Sequence, residues 1–353
     1  MAEAGVEGIS LEELQLAARN HGMPLEALRF PVTPVGLHYL LIHYDVPVVD
    51  PDTWSLTVRG ERELVLRLDD LRARPAVELP VTMECAGNGR ARLQPRPISQ
   101  PWLLEAVGTA RWGGTPLRPL LEEAGLRESA TEVLFTGLDR GVEGGIEQRF
   151  QRSVALDEAL RDEVLVAWEM NGAPLPPQHG FPLRLVVPGW YGMTNVKWLT
   201  EIAVLDEPFD GYQQAQGYRL RQEEDDEGVP LNRMAPRSLM VPPGIPEFLT
   251  RERTLEAGEC LVEGRAWSGQ APIEAVEVSV DGGSSWGEAE LEAAEDRWAW
   301  RGWSYRWQAE PGDYVLCSRA RDAAGNEQPV DPPWNLGGYA NNAVQAVRVT
   351  VTG

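Results

Sequence analysis

Cysteine and histidine are scarce in this sequence of 353 residues, which contains three cysteines and four histidines. Three cysteines cannot build the disulfide framework of a small secreted protein. The paired spacings that hold zinc and the acidic loop spacing that holds calcium do not occur. The glycine-rich phosphate motifs of nucleotide-binding enzymes are missing as well. The sequence therefore gives no support for a zinc, calcium or nucleotide site.

Basic residues are outnumbered, because 32 Lys and Arg stand against 54 Asp and Glu and the formal net charge is -22. Nucleic-acid binding requires clustered cations that neutralise phosphates, and anionic lipid surfaces attract the same clusters. The charge balance therefore argues against both as partners. It does not exclude a small anionic substrate, because a pocket can be locally basic on an acidic protein.

Long apolar runs are absent too. No stretch of about 18 uncharged apolar residues occurs, so we expect no membrane-spanning helix. Residues 1–10 lack the basic and then apolar layout of a secretion signal, and they lack a twin-arginine pair. Unless a signal precedes the sequence and was removed, these features predict a cytoplasmic protein.

The length favours two domains, and 35 glycines with 28 prolines favour many short strands. A capping-box pattern at Ser10 predicts a first helix. A second helix is predicted over Pro116–Ala124, capped by Thr115 and ended by Gly125, and a short third helix after Ser153. Helices interleaved with strands indicate an α+β fold. The predicted strands are Ser55–Val58, Val81–Glu84, Val133–Thr136, Val164–Glu169 and Leu183–Val187.

The composition changes at Glu223–Glu227, where five like charges in a row predict a solvated loop or linker. About seven short strands follow, which suggests an immunoglobulin-like β-sandwich. Alternation with period two marks Glu274–Val280, Arg297–Trp307, Tyr314–Ala320 and Ala343–Val351. The predicted division is a helical segment over 1–30, an α+β domain over 31–222 and an all-β sandwich over 223–353.

Cys85 ends a β-like run and precedes a loop that contains Gly87, Gly89 and Arg90. Nearby cations favour the thiolate, which is the form that ligates a metal or attacks a substrate. From spacing alone a buried structural cysteine is favoured. Such cysteines normally lie within strands, however, and not beside a glycine-rich loop, so a chemical role stays open.

Several segments resemble, in the same order, those of the sulfite oxidase family of molybdenum enzymes. The strongest are the cysteine loop Glu84–Arg90, the stretch Trp168–Pro188 and the string Gly189–Leu199. That family includes sulfite oxidases, assimilatory nitrate reductases and a bacterial methionine-sulfoxide reductase. The similarity runs from about residue 25 to the end of the sequence. Further matching segments are Trp102–Trp112, Phe135–Asp139, Arg319–Gln328 and Trp334–Leu336.

The resemblance implies a molybdopterin domain followed by an immunoglobulin-like dimerisation domain. It also implies one molybdenum-molybdopterin cofactor, with Cys85 as the only protein ligand of the metal, a role that suits a soft thiolate. The planar guanidinium of Arg184 would bind the phosphate of the cofactor. The other residues that the resemblance assigns to the cofactor are Tyr39, His43, Asp139, His179, Asn195, Val196 and Lys197.

Two further residues are implied to act in catalysis with Cys85. Tyr218 matches a family tyrosine that faces the reactive oxygen on the metal, where its hydroxyl can donate a hydrogen bond or relay a proton; a core tyrosine is the alternative. Arg90 is retained from the family's sulfite pocket, whereas Leu41 and Gly337 replace two other arginines. A divalent oxyanion needs paired cations to offset its desolvation. The replacements therefore predict weak sulfite oxidation and favour a neutral substrate such as a sulfoxide.

Many of the 13 tryptophans lie in the predicted sandwich. We interpret them as core or dimer-interface residues rather than as a carbohydrate-binding platform. Period two places Cys317 on the face opposite Leu316, and Cys260 on the core face with Val262. We therefore expect no disulfide between these cysteines, as suits a cytoplasmic protein.

Three functions are compatible with the sequence. The first is a molybdenum oxidoreductase that transfers oxygen, either sulfite-oxidase-like or as a reductase of sulfoxides or other neutral S- or N-oxides. It would be a homodimer and would exchange electrons with a separate carrier, such as a small basic cytochrome attracted to the acidic chain. The second is a non-enzymatic binding protein with an empty pterin pocket. The third is a thiol enzyme that uses Cys85 with a histidine base. The resemblance favours the first.

Overall fold

The protein combines a mixed helix and strand part with a β-sandwich, in a computed structural model that describes residues 8–332 and 334–353. This architecture confirms the predicted α+β fold followed by an all-β domain. Among the described residues no helix has the length and apolar character to cross a membrane. The helices are α1 Leu11–Arg19, α2 Leu68–Arg72, α3 Arg118–Ala124, α4 Leu156–Ala159 and α5 Tyr212–Ala215.

Two sheets form the first part. Their strands are β1 Leu56–Arg59, β2 Glu63–Leu66, β3 Val77–Glu84, β4 Val107–Pro116, β5 Glu132–Glu143, β6 Ile146–Ala155, β7 Leu165–Met170, β8 Ala173–Pro174, β9 Arg184–Val186 and β10 Leu199–Leu205. One sheet has the order β2-β1-β10-β5-β6, in which β1 and β10 run parallel. The other has the order β3-β4-β7-β8, with β9 paired to β7. The ends of β3, β5 and β9 carry the residues of the candidate site.

The sequence signals for the starts of the first two helices differ in outcome. The capping box is confirmed, because the Ser10 hydroxyl accepts from the backbone of Glu13 at 3.2 Å and the Glu13 carboxylate accepts from the backbone of Ser10 at 2.9 Å. The predicted start of the second helix is wrong. Thr115 and Pro116 belong to β4, where they pair with β7, and α3 begins at Arg118. Strand pairing over long sequence distance therefore overrides a local helix signal.

Other local predictions hold. Gly125 ends α3 with φ of 84°, a conformation that glycine adopts without strain, and α4 follows Ser153 as predicted. The acidic run Glu223–Glu227 is an exposed loop at the tip of a hairpin between β11 Arg219–Leu220 and β12 Val229–Pro230. Beyond it, the Met234 N–H donates to the Gly189 carbonyl at 2.9 Å. The predicted boundary between 222 and 223 falls within this hairpin and stays a prediction.

The last part is a sandwich of two sheets. Its strands are β13 Arg237–Met240, β14 Ile245–Pro246, β15 Arg253–Glu256, β16 Gly258–Trp267, β17 Ile273–Ser279, β18 Gly287–Glu288, β19 Glu290–Leu291, β20 Arg301–Ala309, β21 Gly312–Asp322 and β22 Gln345–Thr352. One sheet has the order β13-β16-β20-β19 and the other β14-β15-β22-β21-β17-β18. All three cysteines are free, and Cys260 packs against the core that contains Val262. The structure thus places no disulfide between Cys260 and Cys317.

The tryptophans divide between two cores. Trp303 and Trp307 on β20 fill the sandwich, as predicted. The predicted strand Arg297–Trp307 begins only at Arg301, however, so Trp298 and Trp300 precede it. The Trp298 carbonyl accepts from the Thr82 N–H at 2.8 Å, and Trp300 Nε1 donates to the Pro31 carbonyl at 2.7 Å. These two therefore join the sandwich to the first part, and their predicted place in the sandwich strand is wrong.

A buried ion pair also joins the two parts. Glu84 is the last residue of β3 and Arg237 is the first of β13, and their side chains are 3% and 1% exposed. Arg237 Nη1 donates to Glu84 Oε1, and Trp267 Nε1 donates to Glu84 Oε2 at 2.9 Å. Removal of one partner would leave an uncompensated charge away from water, which is far more costly than the net worth of the pair.

We predict that Arg237→Met lowers the free energy of unfolding by about 3–5 kcal/mol, because Glu84 keeps its charge and loses its cation. Urea unfolding followed by tryptophan fluorescence measures the change. Arg306→Met is the matched control, since Arg306 forms an exposed pair with Glu259 on β16, and it should cost less than about 1 kcal/mol. Equal losses in the two variants would contradict the interpretation.

Candidate active site

Cys85 lies where β3 ends and a tight turn begins. Its N–H donates to the Ala106 carbonyl at 2.9 Å, and its carbonyl accepts from the Asn88 N–H at 2.9 Å. Gly89 then adopts φ of 92°, in the left-handed region that favours glycine. The glycine-rich loop seen in the sequence is therefore a turn that holds Cys85 at the edge of a cavity, with 8% of the residue exposed.

The sandwich holds the cysteine loop from the other side. The Ala340 N–H donates to the Ala86 carbonyl at 2.8 Å, and Asn341 Nδ2 donates to the Gly89 carbonyl at 2.7 Å. A side chain at Gly89 would meet the Asn341 carbonyl oxygen at 2.8 Å, so glycine permits this close approach. The segment after the last Trp-Asn-Leu motif thus packs directly on the loop that carries Cys85.

Cys85 stands at the junction of two clefts. The inner cleft has a volume of about 680 Å³ and the outer cleft about 1150 Å³, each including space open to solvent. Four residues line both clefts: Leu41, His43, Cys85 and Tyr218. Most of the residues predicted from the resemblance line the inner cleft, namely Tyr39, His43, Cys85, Asp139, His179, Arg184, Asn195, Lys197 and Tyr218.

The inner cleft contains buried cations that lack an anionic partner. Arg184 donates from Nη1 to the His179 carbonyl at 3.0 Å and from Nη2 to the Asn195 carbonyl at 3.2 Å, and it stacks on Trp112. Its Nε has no hydrogen-bond partner within the described residues. Lys197 Nζ donates to two carbonyls, those of Leu41 at 2.7 Å and Gln178 at 3.1 Å. Lys197 Nζ also lies 4.3 Å from the centre of the Trp198 ring. Carbonyl oxygens and aromatic rings therefore hold both side chains, and no carboxylate among the described residues forms an ion pair with either.

Burial lowers the pKa values of the basic groups in the inner cleft. It lowers the pKa of Arg184 to about 10 and that of Lys197 to about 7, and Arg184 itself adds to the shift of Lys197. It also lowers the pKa of His179 to about 2, so the imidazole is neutral at physiological pH. An anion bound in the cleft would oppose these shifts. The arrangement therefore suits a ligand that carries negative charge.

Asp139 is the buried acid of the inner cleft. Its Oδ1 receives no hydrogen bond from the residues that the structure describes. Burial raises its pKa to about 6, although Lys197 and His43 act in the opposite direction. A buried acceptor without a donor is costly unless a ligand supplies one, so Asp139 is available to a donor group of a bound molecule.

Asn195 and Val196, which the resemblance assigns to the cofactor, are both engaged in contacts within the protein. The side chain of Asn195 is engaged within the protein, since its Oδ1 accepts from the Val187 N–H at 2.7 Å. The Val196 N–H donates to the Thr194 carbonyl at 3.0 Å, and Val196 packs in the main core without lining either cleft. The contacts with the cofactor that the resemblance assigns to these two residues stay predictions.

His38 also lies in the inner cleft, although the sequence did not indicate it as a site residue. It is buried beside His179, with ring centroids 5.6 Å apart, and its Nε2 has no partner among the described residues. Burial lowers its pKa to about 4, so it is neutral at physiological pH. No spacing pattern links residues 38 and 179, so only the tertiary structure reveals this pair. Met83 and Met193 also line the inner cleft without a signal in the sequence.

The outer cleft contains Arg90 and two tyrosines. Arg90 donates from Nε to the Gly337 carbonyl at 2.8 Å and from Nη1 to the Gln100 carbonyl at 3.3 Å. Its guanidinium lies 4.9 Å from the centre of the Tyr339 ring, which in turn lies 5.5 Å from that of Tyr218. The backbone of Tyr218 has φ of 48°, which is uncommon for an aromatic residue.

Cys85 itself is a poor candidate for a free nucleophile. Burial raises the pKa of its thiol, although Arg90 and the Gly87 N–H favour the thiolate. His43, which lines both clefts with it, has its Nε2 2.9 Å from a Glu143 carboxylate oxygen. Without a further cation, burial thus keeps the thiol protonated at neutral pH, which argues against an independent thiol enzyme.

Two family models match the chain. One, described as an oxidoreductase molybdopterin binding domain, covers residues 43–213, and the other, a Mo-co oxidoreductase dimerisation domain, covers residues 230–352. Sulfite oxidase of Gallus gallus is 37% identical over 341 residues, which cover 90% of this chain and 73% of that protein. Mitochondrial sulfite oxidase of Rattus norvegicus is 38% identical and is covered to 62%, so the chain spans less than two thirds of its length.

Two further proteins are similar to almost the whole of this chain. Nitrate reductase (NADH) 1 of Oryza sativa is 32% identical over 351 residues, which cover 91% of this chain and 38% of that protein. Among solved structures, the sulfane dehydrogenase SoxCD of Paracoccus pantotrophus superposes with a TM-score of 0.81 at 24% identity, over 99% of this chain and 92% of that one. This last likeness concerns the fold alone.

We predict that Asp139→Asn gains stability relative to the wild type as the pH rises from about 4 to about 7 in cofactor-free protein. The raised pKa means that the unfolded carboxyl loses its proton first, so the wild type loses stability over this range by roughly 1–3 kcal/mol. Urea unfolding at several pH values measures the difference between the two proteins. A difference that does not depend on pH would contradict the assignment.

Asp206→Asn is the control for this experiment. Hydrogen bonds from Ser129 and Arg127 lower the pKa of Asp206 below its ordinary value of 3.8. The Asp206 carboxylate therefore stabilises the folded protein above pH 3.8, and this contribution is lost only as the pH falls through the lowered pKa. Between pH 4 and pH 7 the stability of this variant relative to the wild type should stay constant.

Proposed function

The chain belongs to the sulfite oxidase family of molybdopterin-dependent oxidoreductases, and on that premise we propose that it is an oxygen-transfer enzyme whose metal is ligated by Cys85. The observation that carries the proposal is the place of Cys85, which lines the inner cleft and the outer cleft together. A cofactor in the inner cleft would thus meet a substrate that arrives through the outer cleft.

The residues of the inner cleft fit such a cofactor. Arg184 and Lys197 offer buried cationic donors to a phosphate, and Asp139 offers an unpartnered acceptor to the amino and imino groups of a pterin. A thiolate is a suitable ligand for a metal that sulfur already holds. We propose that His43, Tyr39, His179, Asn195 and Val196 shape the rest of this site, as the family resemblance implies.

When bound, the molybdenum cofactor supplies a two-electron change coupled to the movement of one oxygen atom. We propose that Arg90 and Tyr218 act on the substrate. Burial keeps the pKa of Tyr218 well above its ordinary value, so its hydroxyl stays protonated and can donate a hydrogen bond. In the oxidation of sulfite, one water supplies the oxygen of sulfate, and two electrons and two protons are released.

The family resemblance implies arginines at two positions of the anion pocket that are Leu41 and Gly337 in this chain. Leu41 lies at the junction of the clefts, where the family resemblance implies an arginine. At Gly337, a side chain would meet the Tyr339 ring at 2.4 Å. Because Tyr339 occupies that space and stacks on Arg90, an arginine at 337 does not fit. We propose that sulfite is a poor substrate.

A second candidate reaction is the reduction of a sulfoxide or another neutral S- or N-oxide at the same centre. Two electrons and two protons would then convert the sulfoxide to a sulfide and water. The apolar side chains of Leu41, Ile42, Ile98 and Val142 along the outer cleft support it, because they solvate a neutral organic group better than a dianion.

We further propose a homodimer formed through the sandwich, on the basis of the match with a dimerisation domain. Electrons would pass to or from a separate carrier. The net charge of -22 favours a basic carrier, such as a small cytochrome, because opposite charges accelerate encounter. A cytoplasmic location stays a prediction.

We predict about one molybdenum per chain in protein made in cells that synthesise the cofactor. Cys85→Ser should lower oxygen-transfer activity at least about 100-fold, since it replaces the ligand itself. Elemental analysis and steady-state assays with sulfite, nitrate and sulfoxides measure both. Cys260→Ser, a partly buried cysteine of the sandwich, is the control. Full activity in Cys85→Ser would contradict the proposal, and molybdenum-free protein would favour a binding protein.

We predict that Leu41→Arg lowers the KM for sulfite about five- to tenfold, because it adds a cation where the anion approaches. Leu103→Arg adds the same charge at an exposed position that lines neither cleft, and it should leave KM unchanged. Wild-type turnover of low-millimolar sulfite at the rate seen with the best other substrate would show that the pocket is not impaired.

A further inference from the structure

Glu143 projects from the tip of a hairpin into the outer cleft. It is the last residue of β5 and pairs with Ile146 of β6 across Gly144 and Gly145, whose φ angles are 61° and 77°. A turn with two left-handed residues is the tight connection that matches the twist of a hairpin. The backbone of Glu143 is therefore fixed, although no motif in the sequence marks this residue.

Three donors hold one oxygen of this carboxylate. Glu143 Oε2 lies 2.9 Å from His43 Nε2, 2.9 Å from the Tyr44 hydroxyl and 2.7 Å from Gln213 Nε2. The donors come from two separate segments, the loop that follows Leu41 and helix α5. Burial alone would raise the pKa of Glu143, but these hydrogen bonds lower it below its ordinary value, so the group is an anion at neutral pH.

The second oxygen is available. Among the described residues, no donor forms a hydrogen bond with Glu143 Oε1, and the side chain is 36% exposed. The geometry leaves one oriented anionic acceptor near the junction where Cys85 lies.

Among the described residues, no arginine or lysine forms an ion pair with Glu143, whose one ion-pair partner is His43 at 2.9 Å. The donors of Arg90 are partly committed to the Gly337 and Gln100 carbonyls. Glu12 and Arg19 of α1, which are exposed and of opposite sign, also line the outer cleft. This cleft thus keeps one of the arginines that the family resemblance implies, Arg90, and it adds an apolar wall and a fixed carboxylate.

We propose that Glu143 determines which substrate charge the site accepts, by receiving a cationic group of an organic substrate at Oε1 and by disfavouring dianions. This inference rests on the proposed function and narrows its substrate class to small organic oxides or sulfides that carry an ammonium or a comparable donor. The apolar wall would contact the hydrocarbon part, and the sulfur or nitrogen atom would face the junction at Cys85.

The first arm of the test uses the wild-type holoenzyme and three methyl sulfoxides of similar size. They carry an ammonium (2-aminoethyl methyl sulfoxide), a hydroxyl (2-hydroxyethyl methyl sulfoxide) or a carboxylate (carboxymethyl methyl sulfoxide). Calorimetric titration should rank their affinities in that order, with about a fivefold or larger gap between ammonium and carboxylate at low salt. The gap should shrink as ionic strength rises. Equal affinities, or no binding of any probe, overturn the inference.

The second arm compares Glu143→Gln with Glu147→Gln. The first substitution keeps the shape and a hydrogen-bond acceptor but removes the charge. The second removes a carboxylate from the same hairpin, where Glu147 pairs with Arg140 and lines neither cleft. Glu143→Gln should abolish the preference for ammonium and lower the KM for sulfite about fivefold, whereas Glu147→Gln should keep both values. An unchanged preference in Glu143→Gln overturns the inference.

Failure of this inference can be told apart from failure of the proposed function. The calorimetric preference needs no turnover, so a protein that shows it without oxygen transfer keeps the role of Glu143 and loses the proposed reaction. Turnover of sulfoxides without any dependence on their charge would keep the proposed reaction and remove the proposed role of Glu143. If Glu143→Gln unfolds at a lower temperature than the wild type, the wild-type probe series and its salt dependence still decide the question.

Discussion

The position of Cys85 depends on the ion pair that buries Glu84 against Arg237. Neighbouring side chains of an extended chain point to opposite sides. Anchoring Glu84 within the sandwich therefore turns Cys85 toward the clefts. The pair adds little net stability compared with apolar packing. It does fix the position of β3 along the sandwich, because a shift of the strand by one residue would leave both charges unpaired and away from water. The sandwich is thus part of the candidate site as well as the region that matches a dimerisation domain.

The inner cleft illustrates how an acidic chain can prepare a site for an anion. The chain has a net charge of -22, yet Arg184 and Lys197 meet carbonyl oxygens and no carboxylate among the described residues. Carbonyl dipoles hold these cations in place without neutralising them. Asp139 shows the complementary case of an acceptor without a donor. The stability lost to these unpaired groups is recovered only when a ligand of matching charge and donor pattern binds.

Local signals in the sequence were reliable where local interactions decide the structure. The capping box at Ser10 and the glycine that ends α3 involve neighbours along the chain, so their residue types suffice. Thr115 and Pro116 carry a helix signal but lie in β4, because pairing with β7 decides their conformation. Glu143 could not be found, because its role arises from a hairpin tip, a loop about 100 residues earlier and α5. Within the site, the family resemblance supplied residues that spacing alone could not.

The outer cleft shows why a change of substrate charge involves several residues together. Gly337 leaves room for the Tyr339 ring, the ring stacks on Arg90, and Arg90 donates back to the Gly337 carbonyl. An arginine introduced at 337 alone would displace the ring that orients the retained arginine. Leu41 has no such dependence, since it lines the junction from a loop of its own. The two positions at which the resemblance implies arginine therefore differ: Gly337 belongs to a packed group with Tyr339 and Arg90, so a single substitution there disturbs the retained arginine, whereas Leu41 lies on a separate loop.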